Sequence, residues 1–185
     1  DIMDNSSTRR GQPCWHTLEN VGMNAINDAL MIENGIYAIL NKHFRHLDCY
    51  VDLLELFHEV TFITSVGQSM DLMNSNKSVA TFNMANYKAI VQNKTAYYTF
   101  YLPFAVAMHL AGYKDAEAFR QSKTILLEMG HFFQVQDDFL DCFGNPETTG
   151  KVGTDIQDHK CSWLAVLCMQ RANKQQKAIM EECYG

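Results

Sequence analysis

The sequence has 185 residues, enough for one folded domain, and 47% of them are apolar, which excludes a disordered chain. Its formal net charge of −6 disfavours nucleic acid and anionic membrane surfaces as partners. The six cysteines form no C-x-x-C pair, and no histidines cluster with them at zinc-ligand spacing. We therefore expect reduced thiols in a cytoplasmic protein and no disulfide framework.

Helical periodicity dominates the chain. Apolar residues recur at steps of three, four and six in the first predicted helix, which favours packing on one face. Asp115 is a candidate N-cap, and Gly144 with Pro146 ends the helix that Asp115 begins. A loop is expected between Gly144 and Lys160, and no strands are predicted. The predicted helices cover residues 25–47, 51–73, 85–110 with a possible break near Lys94, 115–143, 162–172 and 174–183.

The segment from residue 95 to 113 carries no Asp, Glu, Lys or Arg and is long enough to span a bilayer. Four tyrosines, Pro103 and His109 make it a poor lipid-facing helix, so no membrane span is expected. A helix that is buried on all sides within a large helical core explains the segment better. The predicted fold class is all-α, a bundle of long helices whose sites face inward.

The end of the helix predicted over 115–143 carries an unusual acidic cluster. Steps of three and four place Gln134, Asp137 and Asp141 on one face, next to Asp138. The helix C-terminus is itself partially negative, and two carboxylates about 6 Å apart repel by about 3 kcal/mol at a dielectric of about 20. A solvated acidic helix end would reduce this cost to below about 1 kcal/mol. Neighbouring aromatic residues such as Phe132 indicate burial instead, and oxygen ligands favour Mg²⁺ shared with substrate phosphates.

A second acidic cluster begins the sequence. Asp1 and Asp4 precede Arg9 and Arg10, and acidic pairs three residues apart are common. The four residues could form an ordinary set of surface ion pairs. They could equally form a diphosphate clamp, in which the arginines bind the anion and the aspartates hold its metal ions.

Several motifs together resemble those of the trans-prenyltransferases. Asp1 to Asp4 with Arg9 and Arg10 resembles D-D-x-x-D followed by R-R-G, without its first aspartate. Residues 133–141 resemble F-Q-x-x-D-D-x-x-D, and residues 150–163 resemble G-K-x-G-T-D-I-Q-D-x-K-C-S-W. Lys94-Thr95 and Gly67-Gln68 match the K-T and G-Q pairs of the same family. The resemblance covers essentially the whole chain and is closest to eukaryotic farnesyl diphosphate synthases.

The resemblance implies an isoprenoid synthase fold, with long helices around a central substrate cavity. It also implies three Mg²⁺ ions that bridge aspartates to an allylic diphosphate. The reaction would condense isopentenyl diphosphate with dimethylallyl or geranyl diphosphate to give farnesyl diphosphate, in a protein that is commonly a homodimer. The implied metal ligands, direct or through water, are Asp1, Asp4, Asp137, Asp138 and Asp141.

The resemblance also implies roles for polar residues around the metals. Arg9, Lys94 and Lys160 would neutralise the allylic diphosphate, and Arg10 would bind isopentenyl diphosphate. The Thr95 carbonyl and the Gln134 side chain would face the allylic cation. The remaining expected site residues are the loop pair Lys151 and Asp155 and the cavity pair Gln68 and Tyr98. For these four, solvated loop residues and satisfied core residues are the alternatives.

Two further functional classes stay open: a terpene synthase derived from this fold, and a non-catalytic subunit of a prenyltransferase. We expect the chain to be a single polyprenyl synthetase domain that lacks N-terminal helices and a C-terminal end, and to be inactive by itself. The residues that set product length would precede Asp1. His131 and His159 suggest no metal site.

Overall fold

The computed structural model describes residues 1–3, 6–150 and 152–185, and its helices confirm the all-α class. A π-helical segment, Gln92–Tyr101, joins α3 to α4 without interruption. A short 3₁₀ helix, Val79–Thr81, precedes α3. The helices are α1 Ala25–Phe44, α2 Tyr50–Ser75, α3 Met84–Val91, α4 Leu102–Leu110, α5 Ala116–Phe143, α6 Pro146–Thr149, α7 Trp163–Arg171 and α8 Lys174–Cys183.

The π segment packs between α2 and α5 and forms the centre of the described fold. Near Lys94, where the sequence suggests a break, the helix instead changes from α-helical to π-helical hydrogen bonding. Such π-helical turns are often found at functional sites. Gly67 on α2 permits the contact, because a Cβ atom there would lie 2.2 Å from the backbone nitrogen of Lys94. The sequence of α2 thus sets how closely the π segment approaches it.

Capping side chains fix where the helices near the acidic cluster begin. Asp115 accepts a hydrogen bond from the backbone N–H of Glu117 at 3.0 Å, which confirms it as the N-cap of α5. Ser162 caps α7 through the N–H of Ala165, and Asn173 begins α8 with a capping box. These starts agree with the predicted helices to within one residue.

Two clusters of buried side chains form the core. The first unites the 3₁₀ helix, α3 and α7, and it holds the chain around residue 161 against α3. The second joins α2 to the π segment and α4. The buried members are Val79, Phe82, Tyr87, Ile90, Val91, Cys161, Ala165, Val166 and Met169 in the first cluster, and Leu56, Val60, Tyr97 and Ala105 in the second.

The prediction that the chain has no strands is wrong for one short hairpin. Strand β1, Thr8–Arg9, pairs antiparallel with β2, Gln12–Pro13. The turn between them consists of Arg10 and Gly11 with φ of 52° and 72°, as two-residue hairpins with a type I′ turn require. Strands of two residues are too short to show the alternation that would have predicted them.

Burial is less complete than the sequence suggests. Tyr98 and Phe104 are 51% and 48% exposed, so the helix expected to be buried on all sides is covered on only part of its surface. On α1, Ile26 and Leu30 of the predicted packing face are 51% and 53% exposed. No helix in the described ranges is long and apolar enough to cross a membrane. All six cysteines are free thiols.

Candidate active site

Asp138 near the end of α5 is the buried centre of the polar site, with no exposed surface. Its Oδ1 accepts hydrogen bonds from Gln134 Nε2 at 2.9 Å and from Lys160 Nζ at 3.3 Å. Its Oδ2 accepts the backbone N–H of Trp163 at 2.8 Å. Trp163 is the first residue of α7, where an N–H has no partner within the helix. One carboxylate therefore ties α5 to α7 and to Lys160.

Lys160 lies between two carboxylates. Its Nζ is 3.3 Å from Asp138 and 3.1 Å from Asp155, which is itself 8% exposed. Burial lowers the pKa of Lys160, but the charges of Asp138 and Asp155 outweigh it and raise the pKa overall. Burial raises the pKa of Asp155 to about 6, against the opposing charge of Lys160 and with a further increase from Asp141. Lys160 is thus a firmly charged cation in a site with more carboxylates than cations.

A second lysine is held by a carboxylate that the sequence did not single out. Lys94 on the π segment forms an ion pair with Asp71 on α2, and Asp71 is only 7% exposed. A buried charge needs such a partner, because isolation from water would otherwise be costly. Asp71 is the one charged residue of α2 after Glu59, and that isolation was the available signal in the sequence.

Gln134 connects the two lysine positions. Thr95, which follows Lys94, donates from Oγ1 to Gln134 Oε1 at 3.2 Å. Gln134 then donates from Nε2 to Asp137 at 3.2 Å and to Asp138 at 2.9 Å. The amide of Gln134 is therefore fixed from both ends, with its oxygen towards the π segment.

The carboxylates of α5 offer a donor set that fits magnesium. Asp137 and Asp141 are partly buried, and Asp141 Oδ1 accepts the backbone N–H of Asp155 at 3.0 Å. Within the described ranges no three His, Cys, Asp or Glu side chains converge on one ion. Mg²⁺ commonly uses one or two carboxylates and completes its shell with substrate phosphates and water, so this acidic surface suits it.

The aromatic residues beside these aspartates are exposed. Phe132, Phe139 and Phe143 are 70%, 49% and 68% exposed, so the expectation that they are buried is wrong. The buried residue of this stretch is Asp138 instead. Asp138 is covered by α7 and by Tyr87 on α3. Burial raises the pKa of the Tyr87 hydroxyl, and the charge of Asp138 raises it further.

The N-terminal residues form one ion pair of the kind that the sequence left open as an alternative to a diphosphate clamp. Arg9 donates to Asp1 Oδ1 from Nε at 3.0 Å and from Nη2 at 2.7 Å. Arg10 occupies the exposed tip of the hairpin. Gln68 on α2 contacts Met3, with 3.8 Å between Nε2 and Sδ, so α2 borders this segment. The predicted residues Asp4 and Lys151 lie outside the described residues.

Two cavities adjoin the helices that carry the site. One of about 170 Å³ lies between α2 and the run from the π segment into α4, and Thr64, Tyr98 and Leu102 contribute to its lining. A more open groove of about 650 Å³ runs along α5 beside Phe100, and Phe133 borders it. The groove is mainly apolar, and it lies along the helix that carries Gln134 and the aspartates.

Comparisons with known proteins show what this chain is similar to. Residues 1–185 match the polyprenyl synthetase family. The chain is 53% identical to the farnesyl pyrophosphate synthase of Kluyveromyces lactis and 52% identical to that of Gallus gallus, and it covers 54% and 51% of their lengths. All of the chain aligns with 68% of a Trypanosoma brucei farnesyl diphosphate synthase structure with a bound bisphosphonate, at 40% identity and a TM-score of 0.89. The chain spans about half the length of the curated relatives that it matches, and it belongs to the polyprenyl synthetase family.

Proposed function

We propose that the protein containing this chain is a magnesium-dependent prenyltransferase that joins isopentenyl diphosphate to dimethylallyl or geranyl diphosphate and makes farnesyl diphosphate. One observation carries the proposal: an unbroken series of hydrogen bonds runs from Lys160 through Asp138 and Gln134 to Thr95, beside Lys94. Two lysines thus share one site with an oriented amide and with carboxylates that can hold metal ions, and this suits an anionic diphosphate leaving group.

Asp137 and Asp141, together with Asp1 and Asp4, are the residues proposed to hold magnesium, and three ions are proposed. Bound magnesium would supply positive charge that neutralises the diphosphate as it leaves. Asp138 is proposed to act mainly by position, since both of its oxygens already accept hydrogen bonds from Gln134, Lys160 and Trp163.

The protein's own side chains are proposed to act on the diphosphate and on the cation. Lys94, Lys160 and Arg9 neutralise the allylic diphosphate, and Arg10 binds isopentenyl diphosphate. The C–O bond of the allylic substrate breaks, and its electron pair leaves with the diphosphate. The double bond of isopentenyl diphosphate then forms the new C–C bond, and the released diphosphate accepts the proton that is lost.

Two oxygen atoms are proposed to stabilise the allylic cation. The carbonyl of Thr95 belongs to a π-helical segment, where the usual spacing of backbone hydrogen bonds is altered. The Gln134 oxygen is held at a fixed orientation by the network described above. Tyr98 and Gln68 line or border the space for the hydrocarbon, and Lys151 and Asp155 order the loop over it. The names of the relatives support farnesyl diphosphate as the product, and a homodimer is proposed as the assembly.

The test is a product assay on the whole protein that contains this chain. The protein is incubated with Mg²⁺, isopentenyl diphosphate and geranyl diphosphate, and products are identified by mass. Farnesyl diphosphate is the expected product, and Lys94→Ala is expected to raise the KM for geranyl diphosphate about 10- to 100-fold, as for a lost charged hydrogen bond. The exposed Lys88 on α3 supplies the matched control, Lys88→Ala, with KM unchanged.

The same assay separates the other functional classes. A hydrocarbon or alcohol formed without consumption of isopentenyl diphosphate would identify a terpene synthase. No turnover by the pure protein, restored by a second subunit, would identify a non-catalytic partner. Either result would contradict the proposal.

A further inference from the structure

Three aromatic side chains meet beside the backbone of Lys160. Phe82, His159 and Tyr184 contact one another edge to face, with ring centroids 5.5 Å apart for Phe82–His159 and 5.4 Å apart for His159–Tyr184. They come from the end of the 3₁₀ helix, from the residue before Lys160 and from the C-cap of α8. Three distant parts of the chain thus converge on the backbone that carries Lys160.

His159 links two of these parts directly. Its Nδ1 lies 2.5 Å from the carbonyl oxygen of Tyr184, and its Nε2 lies 2.8 Å from the carbonyl oxygen of Lys77. Its backbone has a φ of 50°, in the left-handed region that residues other than glycine seldom adopt. Such a conformation persists only where its surroundings enforce it, and here the ring lies between two carbonyl oxygens, one of which accepts from the single N–H of a neutral imidazole.

Tyr184 acts on Lys160 itself. Its hydroxyl donates to the carbonyl oxygen of Lys160 at 2.8 Å, and the same oxygen accepts the N–H of Ser162 at 2.8 Å. The N–H of Lys160 donates to the carbonyl oxygen of Asp155 at 3.0 Å, so both backbone polar groups of Lys160 are held. Burial raises the pKa of Tyr184 to about 12, so its hydroxyl keeps its proton at neutral pH and remains a donor.

We propose that Tyr184 and His159 are positioning residues, which fix the backbone of Lys160 so that its ammonium is aimed between Asp138 and Asp155 and presented to the diphosphate. The inference rests on the proposed function, because it takes the binding of diphosphate by Lys160 as given. Neither side chain is placed against the reacting atoms. Their effect is carried by the main chain, through the contacts to the Tyr184, Lys77 and Lys160 carbonyls.

The first test compares two tyrosine variants of the whole protein. Tyr184→Phe keeps the ring and removes the hydroxyl, and Tyr113→Phe changes a tyrosine that is 57% exposed between α4 and α5. Binding of inorganic diphosphate in the presence of Mg²⁺ is measured by calorimetry. We expect a Kd about fivefold higher for Tyr184→Phe, the effect of one lost hydrogen bond, and no change for Tyr113→Phe. A lower melting temperature with an unchanged Kd would show a purely structural role and overturn the inference.

The second test places Tyr184→Phe in a Lys160→Ala background. If Tyr184 acts through Lys160, the double variant binds diphosphate as Lys160→Ala does, because the side chain being aimed is gone. Independent, additive losses would overturn the inference. If Lys160→Ala alone binds diphosphate as tightly as the unaltered protein, the proposed role of Lys160 fails, and the positioning role fails with it. A loss in Lys160→Ala without one in Tyr184→Phe removes only the positioning role.

Discussion

Lys160 places its ammonium nitrogen 3.3 Å from Oδ1 of Asp138, a carboxylate with no exposed surface. The pair is not isolated, since Asp138 also receives a helix N-terminal N–H from Trp163. A buried ion pair is stable only when its remaining polar atoms are satisfied, and here they are. Asp138 therefore links the fold to the site: its Oδ2 docks α7 on α5, and its Oδ1 holds the cation proposed to bind diphosphate.

Asp138→Asn is expected to lower the free energy of unfolding by about 3–5 kcal/mol, because it leaves the buried Lys160 with one carboxylate fewer. Unfolding of the whole protein in urea measures the change. Asp52→Asn is the matched control, since Asp52 lies 3.8 Å from His109 at a surface where ion pairs contribute about 0–1 kcal/mol. Equal effects of the two variants would contradict the central place given to Asp138.

Gly67→Ala is expected to destabilise the protein by about 1–3 kcal/mol, because the new methyl group would overlap the π segment. The added carbon would lie 2.2 Å from the backbone nitrogen of Lys94, so the KM for the allylic diphosphate should rise as well. Gly35→Ala on α1 is the control, since nothing lies within 4 Å of its Cβ position. That variant should be neutral or more stable by up to about 1 kcal/mol, the helix preference of alanine over glycine. A neutral Gly67→Ala would contradict the close contact.

The raised pKa of Asp155 predicts that the stability of the fold depends on pH. Its pKa is raised by burial from 3.8 to about 6, so between these values the folded state keeps a proton that the unfolded chain has lost. The free energy of unfolding should therefore fall as pH rises from about 4 to about 6, by up to about 3 kcal/mol from this residue. Asp155→Asn cannot bind this proton. The free energy of unfolding of Asp155→Asn should therefore rise relative to that of the unaltered protein as pH increases from about 4 to about 6. The measurement is urea unfolding in EDTA at each pH, and parallel profiles would refute the prediction.

The raised pKa of Cys161 predicts that this thiol reacts more slowly than the exposed thiols of the chain. Burial, with smaller contributions from Asp71 and Asp138, raises its pKa from 9.0 to about 12. The thiolate fraction of Cys161 at neutral pH should thus be about a thousandfold below that of a thiol with an ordinary pKa. Iodoacetamide at pH 8 should label the exposed Cys168 and Cys183 first, as followed by peptide mass spectrometry. Labelling in denaturant should remove the difference, and rapid labelling of Cys161 in the folded protein would contradict the prediction.

Helix ends and motif residues near α5 could be predicted from the sequence because their causes are local. Asp115 and Gly144 mark the two ends of α5 through capping and helix termination, and the structure places the helix at Ala116–Phe143. The relation of Gln134 to Asp137 and Asp138 also follows from helical spacing alone.

Other features depend on contacts between distant segments and could not be predicted. The Lys94–Asp71 pair joins residues 23 positions apart, through the approach of α2 to the π segment. Burial of Asp138 is due to α7 and α3, while its aromatic neighbours in sequence remain exposed. Helical periodicity does not distinguish a π-helical turn from an α-helical one over ten residues.

Calorimetric titration of the whole protein with inorganic diphosphate, with and without Mg²⁺, tests the central claim most directly. The account predicts that binding requires Mg²⁺ and is lost in Asp137→Ala, while Asp52→Ala binds as the unaltered protein does. Equal binding in EDTA, or full binding by Asp137→Ala, would contradict a magnesium-dependent diphosphate site at the end of α5.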